Sequence, residues 1–364
     1  MKIFVDVHVL QSVPPSCLNR DDTNSPKTAI YGGVRRARVS SQCWKRAMRL
    51  MFKEYFDPSE LSIRTKYVFS LVAGEILKIS PELSKEDALK KAEYVLDAVG
   101  IKPSAKKSKK KEPETGEEDK SDVLFFMSAQ QAKNLAVLAL GGVDKRAVQN
   151  ALREGNGVEL ALFGRMVADD VTLNCDASAQ VAHAISTHRV ENEYDFFTAV
   201  DDMASQLQDH AGGGHLGTVE YNSATLYRYA TVAVHELFVQ LASDADALEK
   251  AIREFARAFI CSVPTGKQNT FAAHTVPDAV LVSVRTDRPL NLVGAFEKPV
   301  SGEGLAERSA KALEAYAINT YKDFCTEPDI SYVVGGYLSE LGDRLPLNEM
   351  LAQLSQKVVA KVAL

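Results

Sequence analysis

Eight cations and no acidic residue lie between Thr23 and Lys53, although the chain as a whole is net −5. Lys27, Arg35, Arg36, Arg38, Lys45, Arg46, Arg49 and Lys53 therefore leave the remaining residues at −13. A basic island in an acidic protein is a local device for binding something anionic rather than a global solubility choice. Its order is a polar loop, a Gly32-Gly33 turn, an Arg-rich strand and a basic helix capped by Ser40 or Ser41. The start of such a helix presents unpaired N–H groups and the positive end of the macrodipole, with Ser40, Ser41 and Gln42 as added donors. Lys45 and Arg49 are four apart and share a face, so several phosphates can be gripped along the first turns. A solvated helix face is the competing reading, but the acid-free stretch and the arginines just ahead of it favour phosphate binding. Arg35 and Arg36 are adjacent on a strand and point to opposite faces, so strict alternation leaves Arg36 sharing a surface with Arg38.

Other candidate chemistry is sparser. Tyr194-Asp-Phe-Phe-Thr-Ala-Val200 sets two aromatics beside a small polar residue. Such rings either pack a small arm or stack on bases, which contributes about 1–3 kcal/mol per base. Leu162-Phe-Gly-Arg-Met166 pairs a cation, Arg165, with a flexible apolar wedge, Met166. Pro264-Thr-Gly-Lys-Gln-Asn269 is too short for a phosphate-binding loop of the NTPase type, so nucleotide hydrolysis is unsupported. Lys267, Gln268 and Asn269 there either touch a sugar-phosphate backbone or simply turn the chain. Asp21 and Asp22 can bind a divalent ion, yet no third carboxylate stands at ligand spacing, and loop Asp pairs commonly serve as turn residues and caps. His8, His183 and His188 lie on strands outside any nucleophile motif and read as structural, while His210 and His215 flank a Gly-rich tip. No cofactor or metal site is expected.

With 364 residues, 46% hydrophobic and 25% charged, the chain is long enough for one large domain with an insertion or for two domains. No apolar run is long enough to cross a bilayer, and Met1-Lys-Ile-Phe-Val-Asp-Val-His8 lacks the apolar core of a signal peptide. Five scattered cysteines without a Cys-x-x-Cys read as reduced thiols, so a cytoplasmic location is expected. Strict alternation predicts a strand over Ile3–Leu10, a long loop over Gln11–Gly33, a strand over Val34–Val39, and a helix to about Tyr55 burying Trp44, Ala47, Met48 and Met51. From Ser62 to about Gly164 the pattern is helical, interrupted by a segment from Lys102 to Ser121 that has no large apolar residue and reads as a mobile loop. Strands are expected over Val181–Val190, Thr218–Ala233 and Ala279–Val284, with an irregular arm over Glu191–Gly217. Helices are expected over Ser243–Val263, from Gly304 to about Cys325, and over Leu347–Leu364. The result is an α+β sheet domain interrupted by a helical insertion.

Taken together, the residues resemble the backbone-subunit family of type I-E CRISPR Cascade complexes, the CasC family of repeat-associated RNA-binding (RAMP) proteins. The matching pieces are His8-Val-Leu10, Pro15-Ser-Cys-Leu-Asn-Arg-Asp-Asp22, Gly32-Gly33, Arg35-Arg36, Arg38-Val-Ser-Ser-Gln42 and Lys45-Arg-Ala-Met-Arg49. Further along are Gly164-Arg-Met166, Ala182-His-Ala-Ile-Ser-Thr-His188, Asp195-Phe-Phe-Thr-Ala-Val-Asp-Asp202, His215-Leu-Gly-Thr218, Tyr227-Arg-Tyr-Ala230 and Gly266-Lys-Gln268. The helical insertion, especially its lysine-rich loop, and the C-terminal tail match poorly.

The resemblance implies a hand-like subunit. Its palm is an antiparallel sheet like that of an RNA-recognition motif (RRM-like, ferredoxin-like), formed by 1–61, 166–190 and 218–364. The helical fingers are 62–165 and the thumb is 191–217. It further implies a non-catalytic protein whose copies stack head to tail along a crRNA guide, beside other Cascade subunits, and present the guide to target DNA; no membrane is involved. Carried over residue by residue, Arg20, Lys27, Arg38, Ser40, Gln42, Lys45, Arg46, Arg49, Arg165, Lys267 and Gln268 contact guide RNA. Met166, Phe197 and Thr198 sit at a displaced base. Where the family can have Trp ahead of Phe197 this chain has Phe196, which implies a smaller stacking surface. Lys106, Lys107, Lys109, Lys110 and Lys111 either touch DNA or are solvated partners of the acids that follow them. The alternative function is an RNA endonuclease using Asp22 with a divalent metal.

Overall fold

The computed structural model describes residues 1–104, 120–121, 124–167, 170–199 and 215–362. The chain opens with β1 (Phe4–Ser16), β2 (Thr28–Tyr31), β3 (Val34–Val39) and α1 (Ser41–Phe52). A short β4 (Ser62–Thr65) leads to α2 (Val68–Ile79) and α3 (Lys85–Asp97), then β5 (Phe125–Ser128), α4 (Ala129–Gly141), α5 (Lys145–Arg153) and α6 (Val158–Phe163). Next come β6 (Ala179–Val181), β7 (Ala184–Ser186), β8 (Glu193–Ala199), β9 (His215–Ala233), α7 (Val234–Gln240), α8 (Ala245–Cys261) and α9 (Gln268–Phe271). β10 (Ala279–Arg285), α10 (Leu305–Phe324), β11 (Ile330–Gly335), β12 (Asp343–Arg344) and α11 (Leu347–Val362) complete the order.

β1 is the axis of the sheet, antiparallel to β10 on one side and to β9 on the other, within the order β12-β11-β10-β1-β9-β7-β3-β2. Both of its faces are buried, which is why its alternation does not separate core from solvent. Val5, Val7 and Val9 join Trp44 and Met48 of α1, Phe255 and Phe259 of α8, and Leu351 and Leu354 of α11 in one core. On the other face Leu10, Tyr227, Tyr229 and Leu281 pack with Leu313 and Ala317 of α10. A third core is built mainly from α2–α5 and β5, including Phe69, Val72, Leu96, Leu135 and Leu152, and takes in Val167 and Leu173 beyond α6. α6 belongs elsewhere: its Val158, Ala161 and Leu162 join the sheet core, although the sequence groups it with the helical insertion.

Three elements differ from the sequence expectations. β1 runs to Ser16 rather than ending at Leu10, and Pro14 and Pro15 sit exposed where its register against β9 shifts, so neither interrupts a paired N–H. Thr28–Tyr31, expected as loop, pairs with Val34–Ala37 around Gly32 and Gly33, whose positive φ of 57° and 76° makes the tight hairpin. On α1 the buried stripe is Trp44, Ala47, Met48 and Phe52, with Met51 only half-buried.

Arg228 of β9 ties these layers together. It is buried, its guanidinium lies 3.8 Å from the Trp44 ring centroid, and it donates to Gln11 Oε1 and to the Phe259 and Ile260 carbonyls at the end of α8. That position opposes the negative end of the α8 dipole, and burial lowers the guanidinium to about 9.

The opposite face carries two buried titratable groups, Asp6 and His8. Asp6 accepts from the Tyr229 hydroxyl and from Leu290 N–H, both at 2.9 Å, and His8 Nδ1 lies 2.9 Å from the Tyr227 hydroxyl. Burial raises Asp6 from 3.8 to about 6, against the hydrogen bonds that lower it. Burial, aided by Arg285, lowers His8 from 6.5 to about 3. The folded state therefore holds an extra proton on Asp6 between about pH 4 and 6, so that contribution weakens as pH rises. The unfolded state holds the extra proton on His8 between about pH 3 and 6.5, so that contribution strengthens as pH rises. The two slopes oppose each other. Asp6→Asn should leave the His8 slope uncompensated, so its urea midpoint should climb more steeply from pH 4 to 6 than that of the parent protein; parallel curves would show that Asp6 does not titrate in this window.

Candidate nucleic-acid interface

The loop between β1 and β2 is folded back on itself. Lys27 N–H donates to the Asn19 carbonyl at 2.9 Å, Arg20 bridges to Pro26, and the Asn19 side chain accepts from Ser40 N–H at 2.9 Å. Asp21 holds the tip by accepting from the Thr23 hydroxyl and from the N–H groups of Thr23 and Ser25. The Thr23 hydroxyl bond is the main reason this carboxyl sits below its ordinary range. Ser40 then caps α1, extended at φ −67° and ψ 151°, with its Oγ accepting from Cys43 N–H. From the other side comes the 264–269 loop. A Cβ on Gly266 would lie 2.2 Å from the Leu18 carbonyl oxygen, so only glycine permits this approach. Lys267 follows in left-handed backbone at φ 51°.

Three titratable groups lie within the field of these cations, although burial dominates the shift of each. Burial raises the Cys17 thiol, opposed by Arg20 and Lys267. Burial pushes the Cys43 thiol up to about 11, against Lys27 and Arg46. His183 is held below the ordinary imidazole value by burial, then by Arg38 and Lys27. Its Nδ1 lies 3.1 Å from Arg38 Nη1, while Arg38 Nε donates to the Thr28 carbonyl. Arg20, Lys27, Arg38, Arg46 and Lys267 thus surround the start of α1, where Gln42 is exposed. Lys45 is half-buried beside the Phe163 ring, 5.4 Å from its centroid, and burial lowers its ammonium. His183, set aside as a structural strand residue, belongs to this surface. Its pairing with Arg38 spans 145 positions, and no local spacing reveals it.

Several expected contacts are spent inside the fold instead. Arg165 is 7% exposed and donates to the carbonyls of Phe126, Leu152 and Leu173 and to Gln131 Oε1, which removes it from any RNA surface. Arg49 turns inward to Glu159 at 2.7 Å and lies 4.7 Å from the Phe126 ring centroid. Arg36 is fully buried on the carbonyls of Tyr31, Ser186, Phe296 and Glu297, so it shares no surface with Arg38. Ser40 is buried as a cap, and Gln268 Nε2 donates back to the Pro264 carbonyl at 2.9 Å. Lys106, Lys107, Lys109, Lys110 and Lys111 lie outside the described residues.

The arm, expected to be irregular, pairs as a ribbon: β8 faces the outer part of β9 from Glu193 opposite Tyr221 to Ala199 opposite His215. Phe196, Phe197 and Thr198 suit a pleated strand, which accounts for the difference. Phe197 sits opposite Gly217, where a Cβ would come within 2.4 Å of its ring, so the ring lies across the glycine. Phe197 and Thr198 project to opposite faces of the ribbon. The residue sharing the Thr198 face is Phe196, which is 66% exposed; the i, i+2 spacing was the available signal. Met166 is 86% exposed. Asp22 is exposed, and among the described residues no group of three or more His, Cys, Asp or Glu side chains could hold a metal ion.

Comparison with known proteins gives consistent relatives. The profile of a family described as CT1975-like protein matches residues 5–356. A chain solved in a "CRISPR RNA-guided surveillance complex, pre-nicking" is similar at 33% identity with TM-score 0.80, covering 96% of this chain and 99% of that one. A second, from a "CRISPR RNA-guided surveillance complex", is 28% identical with TM-score 0.70 over the same shares. No curated protein matches the sequence.

The internal role of Arg165 makes a direct prediction. Arg165→Ala strands several buried acceptors and should destabilise the fold by about 3 kcal/mol or more in urea unfolding. A surface arginine would give a change within about 0.5 kcal/mol.

Proposed function

This chain belongs to the CT1975-like protein family, and on that premise we propose that it is a backbone subunit of a CRISPR RNA-guided surveillance complex of the type I-E Cascade kind. It holds the crRNA guide by phosphate and sugar contacts that ignore base identity, leaving sequence recognition to pairing with target DNA. The observation that carries this reading is the gathering of Arg20, Lys27, Arg38, Arg46 and Lys267 around the start of α1, placed there by the folded 19–27 loop and the close approach of Gly266 to Leu18. Likeness over nearly the whole length to two chains of such complexes supports it. The ribbon adds a second element. β8 is exposed along its full length and, among the described residues, pairs only with β9, so it can reach a base or a neighbouring copy of this chain. Head-to-tail stacking of that kind does not close, and the RNA length and other complex subunits would end it.

Electrostatic, sequence-blind binding has a measurable signature. Arg46→Glu combined with Lys267→Glu should weaken binding of single-stranded RNA at least about tenfold, equally for two unrelated sequences. Replacing the same pair by Ala should lower the slope of log affinity against log salt by about 1.4, two phosphate contacts' worth on a single strand. Unchanged affinity, or loss for one sequence only, would overturn the reading.

We further propose that the subunit is non-catalytic. The endonuclease alternative predicts cleavage of complementary RNA by the assembled complex with Mg²⁺, abolished by Asp22→Ala; cleavage of that kind would displace the non-catalytic reading.

A further inference from the structure

Arg49 lies on the same helix as Arg46, yet its chemistry points inward. Its Nε donates to Glu159 Oε1 at 2.7 Å, and its Nη2 donates to the Ser62 carbonyl at 3.3 Å. The second oxygen of Glu159 accepts from Ser62 N–H at 2.6 Å. One carboxylate, 3% exposed at the side chain, therefore joins α1, β4 and α6. These are the places where the chain leaves the sheet for the α2–α5 helices and where it returns. Two further observations mark this root as tightly drawn. A Cβ on Gly157 would come within 2.5 Å of Ser62 Oγ and 2.9 Å of the Glu60 carbonyl. Val158 N–H donates to that same carbonyl at 2.9 Å. On β5, which pairs with β4, Arg49 covers the Phe126 ring and Arg165 covers the Phe125 ring.

We propose that Arg49–Glu159–Ser62 is a latch that fixes the helical insertion relative to the basic start of α1. Arg49 is thus a positioning residue for RNA binding rather than a phosphate ligand. The latch itself is a statement about the free protein; its effect on RNA rests on the function proposed above. Both Glu159 oxygens are in use, so Glu159→Gln keeps volume but leaves either Arg49 Nε–H or Ser62 N–H without an acceptor. The variant also removes a negative charge near the basic surface. Simple electrostatics therefore predicts tighter RNA binding for Glu159→Gln, and the latch predicts weaker binding.

The test uses the full chain without RNA first. Hydrogen exchange at the Ser62 amide should accelerate about 10- to 100-fold in Glu159→Gln, the loss expected for a hydrogen bond to a charged acceptor. Arg49→Lys, which keeps the charge but not the guanidinium geometry, should show a smaller acceleration and secures the test if Glu159→Gln does not fold. Unchanged Ser62 exchange in both variants would overturn the latch whatever the RNA results. With a single-stranded RNA oligonucleotide as probe, Glu159→Gln should bind more weakly, and Arg49→Met should keep the parental salt slope. A slope lowered by about 0.7 in Arg49→Met would instead make Arg49 a direct phosphate ligand and overturn the positioning role. If neither the parent nor any variant binds RNA, the proposed function fails while the exchange result still decides the latch.

Discussion

The fold depends on guanidinium groups that are buried against backbone carbonyls. Arg228 links β9, α1 and the end of α8; Arg36 links the β2–β3 hairpin to the β7 strand and to the segment around Phe296; Arg165 holds the root of the helical insertion. Each replaces hydration with fixed acceptors, and each joins segments that are far apart in sequence. A buried cation without such partners would be costly, so these contacts constrain where every neighbouring segment can lie. The surface cations are then defined by subtraction. Those not buried in this way, Arg20, Lys27, Arg38, Arg46 and Lys267, remain at the loop and helix start that face outward.

This division explains what could be read in advance. The cap at Ser40 and the Trp44–Met48 stripe rest on spacing within one helix, and they emerge as expected. The Gly32-Gly33 turn is equally local. Composition told that Arg36, Arg49 and Arg165 were basic, but not whether they faced water, because their partners lie up to about 260 positions away. Pro14 and Pro15 read as loop because the bulge that accommodates them belongs to the pairing with β9. The ribbon was not legible: Glu191–Gly217 reads as an irregular arm, because nothing local shows that β8 pairs with the outer part of β9. The short β6 and β7 replace one expected strand, since both lie along β9 rather than running on as a single element.

Within the candidate interface, order matters more than charge alone. Asn19 and Asp21 freeze the loop with hydrogen bonds, so Arg20 and Lys27 are offered from a fixed frame. Gly266 brings Lys267 to that frame from more than 200 residues away. Pre-ordered cations lose less entropy on engaging a polyanion than cations on a floppy tail would. The ribbon presents its rings on a two-stranded platform for the same reason, with Gly217 lending space to Phe197.

Two-sided burial of β1 also guards the assembly of the sheet. Successive residues alternate between an aliphatic side and one carrying Asp6, His8 and their tyrosine partners. Sliding the strand by a single position would press a carboxyl and an imidazole into the layer built by Phe255 and Leu351 while stranding the tyrosine hydroxyls opposite valines. Misaligned pairings are thereby penalised on both surfaces at once, so the central strand proofreads its own alignment as the chain folds.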